Sequence, residues 1–416
     1  EEFKTIFKYL AFVACAGKAP ITQKLLDESL ARINKAGDLE NIARWCSWTP
    51  TQLSLLELAA NLEKVVITGG NGTGKTVVLD AFAVRTAKNH PELNVILAIF
   101  NNDTSVNSLL QLQLEAKYES LNLENLSVKT FKNLDELNNI DLSNTVICID
   151  ELGLGGEDFP NSIDDLNNIK AKSIWLVIRD TKESDSVTEN PEEFMKKKLS
   201  DWTIVNLSYP LRTSKELSEK VRSGEIAYPI HTNCFNEKLQ TDLNMPSGPH
   251  PLILEKNEGS YLTRFQHSFE TVGKEKPALI IYAGLIPTSK EKEKALENAR
   301  KTTSLQPMVE YIDSNKICKA VHEKVLVAID AVTSCNRPDK PLLWFTSTFD
   351  LDCVNDDKEA IKGWFKGEKR FARRDLITDI NCCAGIESDF VIFLGDLSDY
   401  AAAAMSRCKG QFVHIR

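Results

Sequence analysis

Short runs of consecutive apolar residues recur along the chain from residue 65 onwards. The first four are residues 65–67 (VVI), 95–100 (VILAIF), 146–149 (VICI) and 175–178 (WLVI). Strands that are apolar on both faces are typical of a parallel sheet that helices cover on each side. Segments of helical length, such as 75–88 and 107–118, lie between the runs. This alternation predicts an α/β fold with a parallel sheet.

A second series of apolar runs follows a charged stretch at 181–198. Its candidate strands are residues 203–207, 278–282, 325–329, 342–345 and 390–394. Several prolines near residue 250 predict a loop-rich region at 235–276. Apolar residues at helical spacing predict helices over residues 1–45. The predicted domains are a helical segment at 1–45, a first lobe at 46–200 and a second lobe at 201–416, with room for a small insertion near 235–275.

Composition and charge narrow the classes of function. Of the 416 residues, 42% are apolar and 26% are charged, which excludes a disordered chain. The 59 acidic and 50 basic residues give a net charge of -9, so a nucleic-acid partner needs a local groove rather than a global positive field. The run at 366–374 (KGEKRFARR) is a candidate for such a groove. Basic runs of this kind are more often solvated helix faces.

Cysteine usage and hydropathy bear on the compartment. The 10 cysteines lack the paired Cys-x-x-Cys spacing of a zinc site and are too sparse for a disulfide scaffold, so we expect an intracellular protein, cytoplasmic or nuclear. No apolar run approaches the roughly 18 residues of a membrane-spanning helix, so we expect no membrane partner. The chain begins with Glu1 rather than Met, and we expect a piece of a longer protein with flanking domains of unknown kind.

The sequence GGNGTGKT at 69–76 matches G-x-x-x-x-G-K-[ST] directly after a strand and before a helix. In such a loop the glycines let backbone N–H groups surround the phosphates, Lys75 reaches the β- and γ-phosphates, and the Thr76 hydroxyl holds Mg²⁺. The alternative is a chance glycine-rich turn, against which the flanking strand and helix argue. The predicted ATP-binding residues here are Gly69, Gly70, Asn71, Gly72, Thr73, Gly74, Lys75 and Thr76.

An acidic pair, Asp150 and Glu151, ends the run at 146–149. Acids often cap strands, so the pair is informative only together with the phosphate loop. Asp150 is the candidate Mg²⁺ ligand, and Glu151 is the candidate base that orients or deprotonates the attacking water. The two motifs together predict a P-loop NTPase and leave its subfamily open.

Further motifs, in the expected order, resemble those of superfamily 1 helicases of the UvrD/Rep type, a group that includes the helicase-like part of Schlafen proteins. The resemblance covers about residues 45–416. The segment WTPTQ at 48–52 is similar to the Q motif, whose glutamine, here Gln52, reads adenine. AIFNN at 98–102 and KTF at 129–131 are similar to two further motifs of the first lobe. The candidates for contacts to a nucleic-acid strand are Phe100, Asn101, Asn102, Thr130, Phe131 and Asn381. Aromatic rings stack on bases, and Asn and Thr side chains bond phosphates, although each residue alone fits a core or turn position equally well.

In the second half, three segments resemble the later motifs of the family: LSYPLRTS at 207–214, AGIE at 384–387 and AMSRCKG at 404–410. They imply that Arg212 and Arg407 reach the γ-phosphate across the cleft between two lobes, and that Glu387 belongs to the nucleotide site. An arginine delivered by a second lobe suits phosphoryl transfer, which needs positive charge where negative charge develops.

The chain also departs from the family pattern. RDTKE at 179–183 replaces a Gly-Asp-x-x-Gln loop, Ala384 replaces a basic residue, and Leu211 stands where many relatives have tyrosine. The segment between Asn102 and Thr130 is too short for the accessory domain that separates strands. These departures keep two alternatives open: a nucleotide-switched signalling or sensor ATPase without motor activity, and a scaffold that binds without hydrolysis.

The sequence therefore predicts two RecA-like P-loop NTPase lobes with parallel sheets, preceded by a helical segment. The expected cofactors are ATP and Mg²⁺, and the expected partner is single-stranded RNA or DNA. The expected function is ATP hydrolysis coupled to translocation or remodelling on that strand, with duplex unwinding uncertain. The sequence does not determine RNA versus DNA, polarity of movement, oligomeric state or pathway.

Overall fold

The fold comes from a computed structural model. It describes residues 49–58, 63–70, 72–100, 108–138, 140–153, 165–179, 196–208, 249–284, 286–314, 319–346, 351, 354–395 and 398–416. The helical segment predicted at 1–45 lies outside these residues. So does the first part of the predicted insertion, through residue 248.

The first lobe is built on six parallel strands in the order β3-β2-β4-β5-β1-β6. The strands are β1 (Lys64–Gly69), β2 (Asn94–Phe100), β3 (Leu126–Phe131), β4 (Thr145–Gly153), β5 (Ser173–Arg179) and β6 (Thr203–Leu207). The helices are α1 (Pro50–Leu58), α2 (Lys75–Asn89), α3 (Leu109–Leu121) and α4 (Asp135–Asn138). The strands β1, β2, β4 and β5 are the first four apolar runs, and α2 and α3 are the two predicted helices between them.

The second lobe is built on another six parallel strands in the order β7-β12-β11-β8-β10-β9. They are β7 (Leu252–Leu254), β8 (Leu279–Tyr282), β9 (Leu342–Trp344), β10 (Leu376–Asp379), β11 (Ser388–Leu394) and β12 (Cys408–Ile415). Its helices are α5 (Tyr261–Val272), α6 (Ser289–Arg300), α7 (Gln306–Ser314), α8 (Lys319–Thr333), α9 (Lys358–Phe365) and α10 (Ser398–Met405). Two parallel sheets with alternating helices confirm the predicted pair of RecA-like α/β lobes.

Three details of the predicted second series are wrong. Residues 203–207 form β6, which pairs with β1 in the first sheet, because order along the chain does not decide which sheet a strand joins. Residues 325–329 lie inside α8, since a short apolar run in a buried helix looks like a buried strand. The region predicted as loop-rich contains β7 and α5, whose pattern the prolines before them obscured.

One crossover in the second lobe contains no helix. β10 ends at Asp379 and β11 begins at Ser388 on the other side of β8, although parallel strands of one sheet are usually joined by a dozen or more residues that form a helix. Residues 380–386 instead form a series of turns that bury Cys382, Cys383 and Ile386. They belong to the same apolar cluster as the leucines of α3. The first lobe therefore supplies cover where the second lobe lacks a crossover helix.

A buried ion pair fastens one end of the second sheet. The Arg337 guanidinium donates to both carboxylate oxygens of Asp375, at 2.8 and 2.7 Å, and the two side chains are 2% and 1% exposed. Asp375 also accepts the backbone N–H of Ala278, directly before β8. The guanidinium rests on the ring of Phe269 in α5. The pair thus ties α5 to the starts of β8 and β10.

Replacing Arg337 with methionine is expected to lower the free energy of unfolding by about 3–5 kcal/mol, because Asp375 is left as an uncompensated buried charge. Urea unfolding of the full chain measures the loss. The control is Arg300→Met, which removes an exposed partner of Asp313 and is expected to cost no more than about 1 kcal/mol. Equal losses in the two variants would contradict the assignment.

Candidate nucleotide site

The phosphate loop connects the end of β1 to the start of α2. Gly69, Gly72 and Gly74 have φ angles of 144°, 77° and 82°, a region that residues with a Cβ atom rarely adopt. Gly74 is the N-cap of α2 and makes no side-chain capping bond, so no side chain occupies the first N–H groups of the helix. A helix start of this kind is where proteins bind phosphate. Asn71 lies outside the described residues.

Gly69 also meets its neighbouring strand at close range. It pairs with Leu207 of β6, and a Cβ atom at Gly69 would lie 2.3 Å from the Leu207 carbonyl oxygen. Only a residue without a side chain fits between the two backbones. The edge strand β6 therefore fixes the path of the loop as it leaves the sheet.

Lys75 is bonded within the loop. Its Nζ donates to the carbonyl oxygens of Gly69, at 2.7 Å, and Gly70, at 3.0 Å. The Thr73 hydroxyl donates to the same Gly70 carbonyl at 2.9 Å. The loop is thus closed by its own side chains, and the amine that is predicted to reach the β- and γ-phosphates already lies against the loop.

Gln52 has a structural role that the Q-motif resemblance did not anticipate. Its side-chain oxygen accepts the N–H of Thr49, and the Thr49 hydroxyl accepts the N–H of Gln52, which is a reciprocal capping box at the start of α1. The Gln52 amide nitrogen then donates to the Thr73 carbonyl at 2.9 Å. The Thr-x-x-Gln spacing could have revealed this cap from the sequence. The buried Gln52 amide holds α1 against the phosphate loop, and its predicted adenine contact stays a prediction.

Asp150 lies at the carboxyl end of β4 and is 1% exposed. The pairing of β4 with β5 shifts register between Ile149 and Leu152, so the irregularity falls on Asp150 and Glu151. Bulges of this kind re-aim side chains near active sites. Because β4 and β1 are parallel in one sheet, their carboxyl ends lie at the same edge as the phosphate loop. The structure does not describe the side chain of Glu151.

The donors at this edge suit Mg²⁺. Thr76 offers a hydroxyl and Asp150 a carboxylate, and oxygen is the ligand that Mg²⁺ prefers. Within the described parts of the chain, no group of three or more His, Cys, Asp or Glu residues lies close enough to form a metal cage. A site of few protein oxygens is typical of Mg²⁺ held together with nucleotide phosphates and water.

A buried acid behind the loop escaped the sequence analysis. Asp80 lies in the second turn of α2, accepts the Tyr118 hydroxyl at 2.9 Å and pairs with Lys117. Burial and the charge of Asp80 raise the pKa of Tyr118, so this phenol stays protonated. Burial raises the pKa of the Cys148 thiol, and the charges of Asp80 and Asp150 add to the effect. Asp80 could have been found from the sequence, because it is an acidic residue on the apolar face of a predicted helix.

Two predicted site residues of the second lobe come together. The backbone N–H of Ser388, next to Glu387, donates to the carbonyl of Arg407 at 2.9 Å, which places both at the amino ends of β11 and β12. The half-buried Arg407 donates from its Nε to the Ala403 carbonyl at 3.4 Å. In the part of the chain that the structure describes, Arg407 makes no hydrogen bond to the phosphate loop. Arg212 lies outside the described residues.

Burial argues against some of the residues that were predicted to contact a nucleic-acid strand. Phe100 and Phe131 lie in the core of the first lobe with ring centroids 5.9 Å apart, so neither ring is open to a base. The Thr130 hydroxyl donates to the Gln111 side chain at 2.7 Å. Asn381 is exposed. Asn101 and Asn102 lie outside the described residues.

Two side chains of the basic run at 366–374 bond to other parts of the protein. Lys366 pairs with Glu119 at 3.0 Å. Arg374 donates to the backbone carbonyls of Lys340 and Pro341. These bonds argue against a continuous nucleic-acid groove along this run.

Comparison with known proteins gives a likeness at the level of the fold. No protein-family model and no curated protein matches the chain. Among solved structures, the chain is similar to the DEAD-box helicase Mss116 bound to ssRNA and UDP-BeF, with 11% identity and a TM-score of 0.40. The match covers 88% of this chain and 69% of that one. No helix in the described ranges is long and apolar enough to cross a membrane.

The close approach of Gly69 to Leu207 predicts an unequal effect of adding one methyl group. Gly69→Ala is expected to destabilise the chain by about 2–4 kcal/mol, from the clash together with the strained φ angle. Gly273→Ala is the matched control, since its φ is also positive but nothing lies within 4 Å of a Cβ there. Its expected cost is about 1–2 kcal/mol. Denaturant unfolding of both variants measures the difference, and a Gly69→Ala loss no larger than the control contradicts it.

Proposed function

We propose that the protein is an ATP-hydrolysing motor of the superfamily 1 helicase-like type that acts on single-stranded nucleic acid. The observation that carries the proposal is the phosphate loop. Its backbone, with positive φ angles at three glycines, leads into a helix start that no side chain caps, at the sheet edge where the bulged strand β4 carries Asp150. This combination suits the binding and hydrolysis of a nucleoside triphosphate.

In the proposed reaction, Lys75 exchanges the carbonyls of Gly69 and Gly70 for the β- and γ-phosphates of ATP. Both bonds hold the amine at the loop, so the exchange needs only a local movement. Thr76 and Asp150 would hold the Mg²⁺ ion, which when bound neutralises charge on the phosphates. Glu151 would orient the attacking water and accept its proton.

Arg407 would complete the site from the second lobe, together with Arg212. In the described structure the Arg407 Nε is bonded only to the Ala403 carbonyl in the last turn of the preceding helix α10, and a bond to a neutral acceptor is readily exchanged for one to a phosphate. Such an arginine stabilises the negative charge that develops during phosphoryl transfer. Hydrolysis would then depend on the position of the second lobe.

The partner in this proposal is single-stranded RNA or DNA. The exposed Asn381 and the segment at 101–102 are the remaining candidates for contacts to the strand backbone. The net charge is acidic, and Lys366 and Arg374 bond to other parts of the protein, so few phosphate contacts are available. The affinity for a nucleic-acid strand should therefore be modest and weakly salt-dependent.

The second candidate function is a sensor ATPase that changes conformation with the bound nucleotide and has no motor activity. The burial of Phe100 and Phe131 favours it, because two of the rings expected to stack on bases lie in the core. The altered loop at 179–183 supports it as well. Hydrolysis without stimulation by nucleic acid distinguishes this function from the motor.

The test is the steady-state ATPase rate of the full chain with and without single-stranded RNA or DNA. For a motor, we expect single-stranded RNA or DNA to raise the ATPase rate and Lys75→Ala to abolish it. Arg407→Ala should lower kcat about 10³-fold with little change in nucleotide affinity. Arg300→Ala, an exposed arginine of the same lobe, is the control and should behave as the unaltered protein.

The remaining outcomes separate the alternatives. An ATPase rate that is the same with and without single-stranded RNA or DNA supports the sensor and contradicts the motor. Full activity in Arg407→Ala would remove this residue from the reaction. Absence of both binding and hydrolysis would overturn the proposed function altogether.

A further inference from the structure

The helix α3 is fixed to the helix that starts at the phosphate loop. Asp80 of α2 accepts the hydroxyl of Tyr118 and pairs with Lys117, both of α3. Asp80 and Tyr118 are buried, so this bond has little competition from water. A displacement of α2 at the loop is therefore transmitted to α3.

The same helix is bonded to the second lobe through an ionic cluster. The Nζ of Lys362 in α9 lies 3.2 Å from Glu115 and 2.6 Å from Glu119 of α3, and 3.5 Å from Glu359 of its own helix. Lys366 reaches Glu119 at 3.0 Å. Burial lowers the pKa of Lys362, but the hydrogen bonds and charges of Glu119 and Glu115 outweigh it and raise this pKa. Hydrogen bonds from Lys362 and Lys366 lower the pKa of Glu119.

The start of α3 touches the helix-free crossover of the second lobe. The backbone N–H of Leu109 donates to the Cys382 carbonyl at 3.2 Å. Leu110 packs against Gly385 so closely that a Cβ atom there would lie 2.6 Å from a Leu110 methyl carbon. The second lobe therefore holds α3 at its start, through a backbone hydrogen bond and an apolar contact, and near its end, through the ionic cluster.

We propose that α3 is a relay between the nucleotide site and the second lobe, in which Lys362 is the positioning residue that seats the second lobe on α3. The relay rests on the proposed function, because nucleotide at the phosphate loop is its input. Its output is the placement of the lobe that carries Arg407. Lys362 acts through α3 and touches no reacting atom.

The first experiment is hydrogen–deuterium exchange of the full chain without nucleotide. Lys362→Met should raise exchange by about tenfold in α9 and in residues 380–386, since local opening becomes easier when the ionic contact is lost. Lys117→Met should also raise exchange in α9, although Lys117 does not touch it, while Asp80 keeps its bond to Tyr118. Lys301→Met is the control, as it breaks an exposed pair with Glu297 elsewhere in the second lobe.

The second experiment adds AMP-PNP with Mg²⁺. In the unaltered protein, exchange should slow in residues 69–76 and also in α9. In Lys362→Met the slowing at 69–76 should persist and the slowing in α9 should vanish. Lys362→Arg keeps the charge and should restore it. Kinetically, Lys362→Met should lower kcat about fivefold with a change of less than about twofold in the Kd of AMP-PNP. The number of AMP-PNP molecules bound per chain, which a loss of folded protein would lower, should equal that of the unaltered protein.

The outcomes keep the two proposals apart. Slowing at 69–76 without any change in α9 overturns the relay and leaves the nucleotide site intact. No slowing at 69–76 overturns the proposed function and, with it, the relay as a nucleotide-driven device, and the nucleotide-free comparison then shows separately whether α3 is coupled to α9. Exchange in Lys362→Met and Lys117→Met equal to that of the Lys301→Met control refutes the relay outright.

Discussion

The architecture of this protein depends above all on one constraint: both faces of each parallel sheet must be buried by helices. Each lobe contains six parallel strands whose central members are apolar, and water on either face would cost the hydrophobic free energy that holds the sheet together. The second lobe lacks one helix that would normally provide this cover, at the crossover of residues 380–386. The leucines of α3 in the first lobe fill the gap and join the two lobes in one apolar cluster. The lobes are thus parts of one packed structure, and α3 is an element that both share.

The proposed nucleotide site depends on how close the backbones of two strands come. Gly69 leaves the sheet against the carbonyl of Leu207, and the turns at Gly72 and Gly74 aim the start of α2 at the place where phosphates would lie. Gln52 secures the outer side of the loop through the Thr73 carbonyl. Most of this frame is backbone, so its shape does not depend on the rotamers of flexible side chains. The side chains that would act on the nucleotide then need only small movements.

Much of the architecture could be predicted from the sequence, because buried parallel strands leave continuous apolar runs and the phosphate loop has a fixed spacing. The limits have physical causes. The run at 325–329 is apolar on all sides in a buried helix as it would be in a buried strand, and 203–207 joins the first sheet through pairing that no local pattern encodes. Phe100 and Phe131 satisfied a strand-contact motif, yet their burial depends on tertiary packing. Asp80, the capping role of Gln52 and the Lys362 cluster are contacts between distant segments, and their partners cannot be read from one position.

The approach of Gly385 to Leu110 also has a consequence for the order of assembly. During synthesis α3 is complete long before the crossover of the second lobe leaves the ribosome, and domains formed first in the chain generally fold first. The second sheet can then form on a surface that already exists, with residues 380–386 moulded against the leucines of α3. A second lobe produced without the first would expose that apolar face and be prone to aggregate. The first lobe thus acts as a folding template for the rest of its own chain.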